Sequence, residues 1–319
     1  MNLFNKIIIA GFAIITFSCD NENDTNASSK VTTAAAITTA TPKKFLFDAT
    51  KAETAGNADW VLDADSSPQR FPTPAQSNVT ATTVESFWRG GLSAWGIALA
   101  KLGHTVETLP SGTAITYGGT GAQDLKNYDV FVVDEPNTKF TAAEKTAILN
   151  FVKNGGGLFM ISDHTVSDRN NDGWDSPAIW NDLMTNNTVQ NNPFGISITL
   201  NNISETTSNR LSATTNPILN GSQGTVTQLK YSAGASMSIN TTANATVQGL
   251  IWKGSSSQGT SNIMCATATF GTGRVVVIGD SSPADDGTGA SSDTLYPGWT
   301  ELASHSRLHM NASLWLAKL

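Results

Sequence analysis

The chain has 319 residues, a formal net charge of −7 and two cysteines, Cys19 and Cys265. Lysine and arginine form no cluster, which argues against nucleic acid as a partner, because neutralising phosphates needs such clusters. With so few cysteines no disulfide framework supports the fold, and beyond Pro42 the length suits one large α/β domain better than two small ones.

At the N-terminus, Lys6 precedes a short apolar run, Ile7 to Phe17, followed by Ser18 and Cys19. The pattern resembles a bacterial lipoprotein signal. That resemblance implies removal of residues 1–18 and lipidation of Cys19; a plain secretory signal is the alternative. The apolar run is too short to span a bilayer comfortably. Residues 19–42 are rich in Asn, Thr, Ser and Ala and read as a flexible tether. Acidic residues just after Cys19 resemble the surface-export signals of Bacteroidetes lipoproteins. Elsewhere an Asp in that place marks inner-membrane retention, so the leaflet stays open. The expected location is the outer membrane or cell surface, with contact to the membrane only through the lipid on Cys19.

Lys43 to Asp48 reads as the first strand. A long loop to Thr83 follows, with Trp60 and Phe71 as anchors of order. Glu85 to Leu102 has apolar residues at helical spacing and stops at Gly103. His104 to Leu109 is a second strand. Val130 to Val133 and Leu158 to Ile161 are continuous apolar runs, as in strands buried on both faces of a parallel sheet. Between them lies a helix opened by a Thr141–Glu144 capping box and closed by Gly155-Gly156-Gly157. This is a βαβ unit. A short helix ends near Met184, and residues 185–260 alternate Thr/Val/Ile runs with turn residues, as β-rich material does. Cys265 falls in a buried strand. Arg274 to Asp280 is the last core strand, and His309 to Leu319 the closing helix.

Three stretches, NYDVFVVDEPNTKFTAAEKTAILNFVKNGGGLFMISDH, GTGRVVVIGDSS and MNASLWLA, resemble the class I glutamine-amidotransferase-like superfamily, in its non-amidotransferase, ThuA-like branches. They cover about half of the chain. The resemblance implies an α/β fold: a three-layer, flavodoxin-like, mostly parallel sheet, here with a β-rich insertion at about 185–260. Amidotransferases place a nucleophilic Cys on the turn where this chain has Asp163-His164, so amidotransferase chemistry is not carried over. ThuA-like proteins often have a His near that turn, which His164 fits.

In open α/β sheets ligands bind outside the carboxyl ends of the strands. Asp48, Asp134, Glu135, Asp163, His164 and Asp280 all fall at such ends and are expected on one rim. Carboxylates gathered there need a cation or raised pKa values, which points to a divalent metal, calcium or zinc. Asp163, His164 and Asp280 are its candidate ligands. Asp163 and His164 are also candidate catalytic residues, with Asp48 as general base. Asp168, Asn170 and Asp172, followed by Gly173, match the first half of a calcium loop. Ile179 stands where the loop's Glu belongs, so Asp175 or Asp182 would have to complete the site. Asp285 and Asp286 extend the acidic loop after Asp280, and His305 could reach the rim from the last helix. Trp60, Arg70, Trp174 and Trp299 are candidate substrate contacts, since aromatic faces beside carboxylates grip sugar rings. Two functions compete: a surface-anchored, metal-dependent hydrolase acting on extracellular glycans or glycoconjugates, and a calcium-stabilised lipoprotein that binds glycan or protein without turnover.

Overall fold

The structure, a computed structural model, describes residues 41–51, 60–63, 78–289 and 296–319. The signal, Cys19, the tether as far as residue 40, Arg70 and Phe71 lie outside the described residues.

Five strands run parallel: β1 (Lys44–Asp48), β2 (Thr105–Leu109), β3 (Val130–Asp134), β4 (Gly157–Ile161) and β13 (Gly273–Ile278). Their spatial order is β2-β1-β3-β4-β13, the doubly wound flavodoxin-like order. Every residue of β3 and β4 is buried, as their unbroken apolar runs require. Alternate side chains feed two cores. Phe45, Phe47, Val130, Val132, Phe159 and Ile161 pack with α1 (Ser93–Lys101) and α5 (Ala303–Leu316). Leu46, Phe131, Val133, Leu158 and Met160 pack with α2 (Ala142–Lys153) and α3 (Ser176–Thr185). The result is a three-layer α/β/α sandwich. The capping box opens α2, with Thr141 Oγ1 accepting from Glu144 N at 3.2 Å and Glu144 Oε2 accepting from Thr141 N at 2.9 Å.

The β-rich stretch contains β5 (Ile196–Ile198), β6 (Ile203–Thr207), β7 (Asn220–Gly221), β8 (Gly224–Thr225), β9 (Leu229–Gly234), β10 (Met237–Ile239) and β11 (Gln248–Trp252). Part of it continues the main sheet. β12 (Ile263–Phe270) runs antiparallel to β13, and β10, β5 and β11 add to it in antiparallel sense. β6 pairs with β9, and β7 with β8, as separate ribbons. Cys265 is fully buried in β12, and burial pushes its thiol up to about 12, so it is a packing residue.

Two helices begin elsewhere than the periodicity predicts. The first starts at Ser93, not Glu85. Gly90-Gly91 weakens helix just before it, Leu92 N donates to Val61 O at 3.0 Å, and Ser93 Oγ donates back to Trp88 O at 2.7 Å, so residues 85–92 form turns. The last helix starts at Ala303, six residues before His309. Its first turns carry Ser304, which receives the backbone amides of Thr227 and Gln228; those polar residues have no apolar periodicity to announce them.

Candidate active site

Strand register levels the rim. Asp134, Ile161 and Ile278 pair across β3, β4 and β13, so Glu135, Asp163 and Asp280 emerge together just beyond the sheet. Glu135 takes φ +38°, a sparsely allowed backbone for a non-glycine residue. Its Oε2 accepts from the indole of Trp60 at 2.8 Å and from Ser281 Oγ at 2.9 Å. The loop before α1 and the loop after β13 thus hold one carboxylate from two sides.

Asp163 lies within hydrogen-bonding reach of Glu135. Burial first, then the charges of Glu135 and Asp280, push its carboxyl well above the usual range. Two close, desolvated carboxyls cannot both ionise readily, so the pair is suited to holding one proton between them. Arg169 supplies positive charge, with Nη2 3.7 Å from Asp163 Oδ2 and Nε 3.9 Å from Glu135 Oε1. His164 Nε2 is also 3.7 Å from Asp163 Oδ2, while its Nδ1 meets Thr165 O at 2.6 Å. These groups line a cleft of about 190 Å³ together with Ser232, Ala233, Ser282 and Tyr296.

Asp175 clamps the loop that carries His164 and Arg169. Its Oδ2 accepts from Thr165 Oγ1 at 2.9 Å and Val166 N at 2.8 Å, while Oδ1 caps α3 through Ala178 N at 3.0 Å. Val166 is held at φ +68°, strained for a β-branched residue. Asn137 ties the same loop to β3: its Oδ1 accepts from Arg169 N at 3.2 Å and its Nδ2 donates to Glu135 O at 3.1 Å.

The structure divides the residues expected on one rim. Asp163, His164 and Trp60 line the cleft; Asp280 stands behind it, with Oδ1 accepting from Ser282 N at 2.8 Å and Oδ2 from Ser232 N. Burial raises Asp280 to about 6. Asp48 does not line the cleft. Its oxygens accept from Thr50 N, Thr50 Oγ1 and Lys51 N at 3.1, 2.7 and 2.9 Å, so it closes the turn after β1 and is not placed as a base. Asp134 is buried and also absent from the cleft wall. Asp285 accepts from Gly287 N and Tyr296 N, and Asp286 from Ala94 N and Thr288 N, so both fasten loops.

The calcium-loop residues satisfy one another. Asp168 accepts from Asp172 N at 3.1 Å and Gly173 N at 2.8 Å, Asn170 Oδ1 from Asp172 N at 3.1 Å, and Asp172 from Trp174 N at 2.9 Å. That is a chain of Asx turns. Asp182 is engaged by Lys145 at 2.8 Å and Lys139 at 3.2 Å. Among the described residues no three His, Cys, Asp or Glu side chains gather as metal ligands. The positive charge facing Glu135 and Asp163 comes from Arg169.

His305 uses both nitrogens, Nδ1 with Gly298 O at 2.7 Å and Nε2 accepting from Lys230 N at 3.0 Å. Trp174 has Lys139 Nζ 3.5 Å from its ring centroid, so that face is covered. Trp299 is 3% exposed and packs in the core beside His309. Glu135 was expected on the rim but in no catalytic role, and Arg169, Ser281 and Tyr296 are among the cleft residues that the sequence did not single out. A larger hollow of about 400 Å³, between Leu102, His104 and Trp315, is mostly apolar and lies at the amino-terminal end of β2, away from the carboxyl rim.

The sequence matches no protein-family model and none of the curated proteins. Several solved structures are similar to this chain. The mmIFT52 N-terminal domain is similar at 14% identity and TM-score 0.52, over 86% of this chain and 97% of that one. A cytoplasmic protein from Salmonella typhimurium is similar at 12% identity and TM-score 0.47, over 86% and 98% of the two chains. A ThuA-like protein from Bacteroides uniformis is similar at 14% identity and TM-score 0.43, over 86% and 91%. At these identities the likeness concerns fold alone.

Proposed function

We propose that this chain is a hydrolase of extracellular glycans or glycoconjugates, with Glu135 and Asp163 as its acid–base pair. The observation that carries the reading is the pair of buried carboxyls, Asp163 and Glu135, that face Arg169 in one polar cleft. Glu135 takes a proton from a water molecule. Substrate and water enter between the two carboxyls and part them, since displacement by water needs acid and base on opposite sides of the scissile bond. The water oxygen bonds to the substrate carbon as the C–O bond breaks, and Asp163 gives its proton to the leaving oxygen. Arg169 faces the charge that develops between them. Trp60 and Ser281 hold Glu135 in position.

Reducing-end release from a panel of polysaccharides tests this. Glu135→Gln and Asp163→Asn should each lower turnover by about 10²- to 10⁴-fold and move the unfolding midpoint little. Turnover equal to wild type in both variants sinks the proposal. In the metal-dependent version, Asp163 and His164 would be ligands of a calcium or zinc ion that shares the cleft with Arg169. Loss of activity in chelator and its return with one metal would establish that version. Binding of a glycan without turnover, with a calcium-dependent melting temperature, would instead establish a non-catalytic binding lipoprotein. Surface anchoring through Cys19 belongs to the same proposal, and fatty-acid labelling that disappears in Cys19→Ala checks it.

A further inference from the structure

A second hollow, of about 260 Å³, adjoins the acid–base cleft and shares Ser232, Ser282 and Tyr296 with it. Neither hollow alone reaches the roughly 300 Å³ at which ligand pockets usually begin, but joined they do. Tyr296 stands at the junction, 41% exposed, and its backbone is anchored by Asp285 Oδ2 at 2.9 Å. Pro283 and Pro297 add apolar wall, while Lys230, Thr300 and Glu301 add donors and acceptors. An apolar flank beside a hydroxyl-and-charge rim matches a sugar ring, which has CH faces and a hydroxyl edge.

The second hollow is built in advance of any ligand. His305 joins its two walls, taking Lys230 N on one nitrogen and meeting Gly298 O with the other. Lys230 and Glu301 form an ion pair. Ser304 adds hydrogen bonds to Thr227 and Gln228 just before β9. A fixed wall loses little freedom on binding, which favours affinity.

We infer that the two hollows form one elongated groove that holds at least two consecutive sugar units, one at Glu135–Asp163 and the next against Tyr296, Lys230 and Thr300. This rests on the glycan reading of the same site. The substrate is then an oligosaccharide cut within or near the end of a chain, rather than a single sugar derivative.

The test separates groove from chemistry by using Glu135→Gln protein, which keeps the cleft but removes the base. Calorimetry is run with β-1,4-N-acetylglucosamine, α-1,4-glucose and β-1,4-xylose series of one to four units. In at least one series, affinity should rise by roughly tenfold or more from one unit to two and level off by four. Thr300→Trp, at an exposed position, fills the second hollow and should remove that rise. Affinity independent of length, a rise that survives Thr300→Trp, or no binding in any series overturns the inference. Length-dependent binding by a wild type that releases no reducing ends would sink the hydrolase reading and leave the groove standing.

Discussion

At the scale of single residues, the cleft grades its members by distance. Glu135 has two donors on one oxygen and Asp163 within proton reach. His164 Nε2 stands 3.7 Å from Asp163, beyond a direct hydrogen bond, and its other nitrogen is taken by Thr165 O. His164→Ala should therefore lower turnover by about tenfold, well short of Glu135→Gln, with the melting temperature nearly unchanged. A loss as large as that of Glu135→Gln would mean that His164 itself transfers a proton. Asp163 and His164 were legible as site residues because they end an apolar run. Arg169 was not, since it sits inside Asp168–Asp172, whose spacing matches a calcium loop. Only the folded loop shows that the acids bond each other's amides while the arginine turns to the cleft. Glu135 was legible as a rim acid, but its partners lie 75 and 146 positions away in sequence.

At the scale of elements, the insertion and the core meet at Gly279. Its amide donates to Tyr231 Oη at 2.6 Å and its carbonyl accepts from Ala235 N at 2.7 Å, which fastens β9 to the end of β13. A Cβ on Gly279 would lie 1.8 Å from Ala235 O. Gly279→Ala should destabilise by about 3 kcal/mol, read as a lowered urea midpoint. It should also reduce turnover, because Ser281 reaches Glu135 from the same turn. Thr141→Ala is the contrasting change: it breaks the cap of α2, costs about 1 kcal/mol and should leave turnover per folded molecule intact. The parallel strands and the capping box were readable locally, since each depends on neighbouring residues. The partners of the β-rich stretch were not. β10 and β5 join the main sheet through β12, pairings set by contacts far apart in sequence.

At the scale of the whole molecule, buried ionisable groups pull the pH dependence of stability in opposite directions. Burial raises Asp48, Asp280 and Asp286 to about 6, and pushes Asp163 well above its ordinary value too. Each favours the fold below its ordinary value of 3.8, and that contribution is lost as pH rises through the raised value. Burial also lowers His104, His305 and, to about 3, His309. As pH falls through 6.5 the unfolded chain protonates these imidazoles before the folded chain does, so stability is lost. The two sets oppose each other between pH 4 and 6.5, which predicts a shallow wild-type profile there. His309→Phe exposes the balance. His309 is enclosed by Trp95 and Phe159, with ring centroids 4.9 and 5.6 Å away, so an aromatic replacement keeps the setting. Any packing change it brings is independent of pH. Between pH 6 and 4 the variant should gain on wild type by about 1.4 kcal/mol per pH unit, the linkage of one proton. Urea midpoints across that interval measure it, and a gap that stays constant with pH would show that His309 is protonated in the fold.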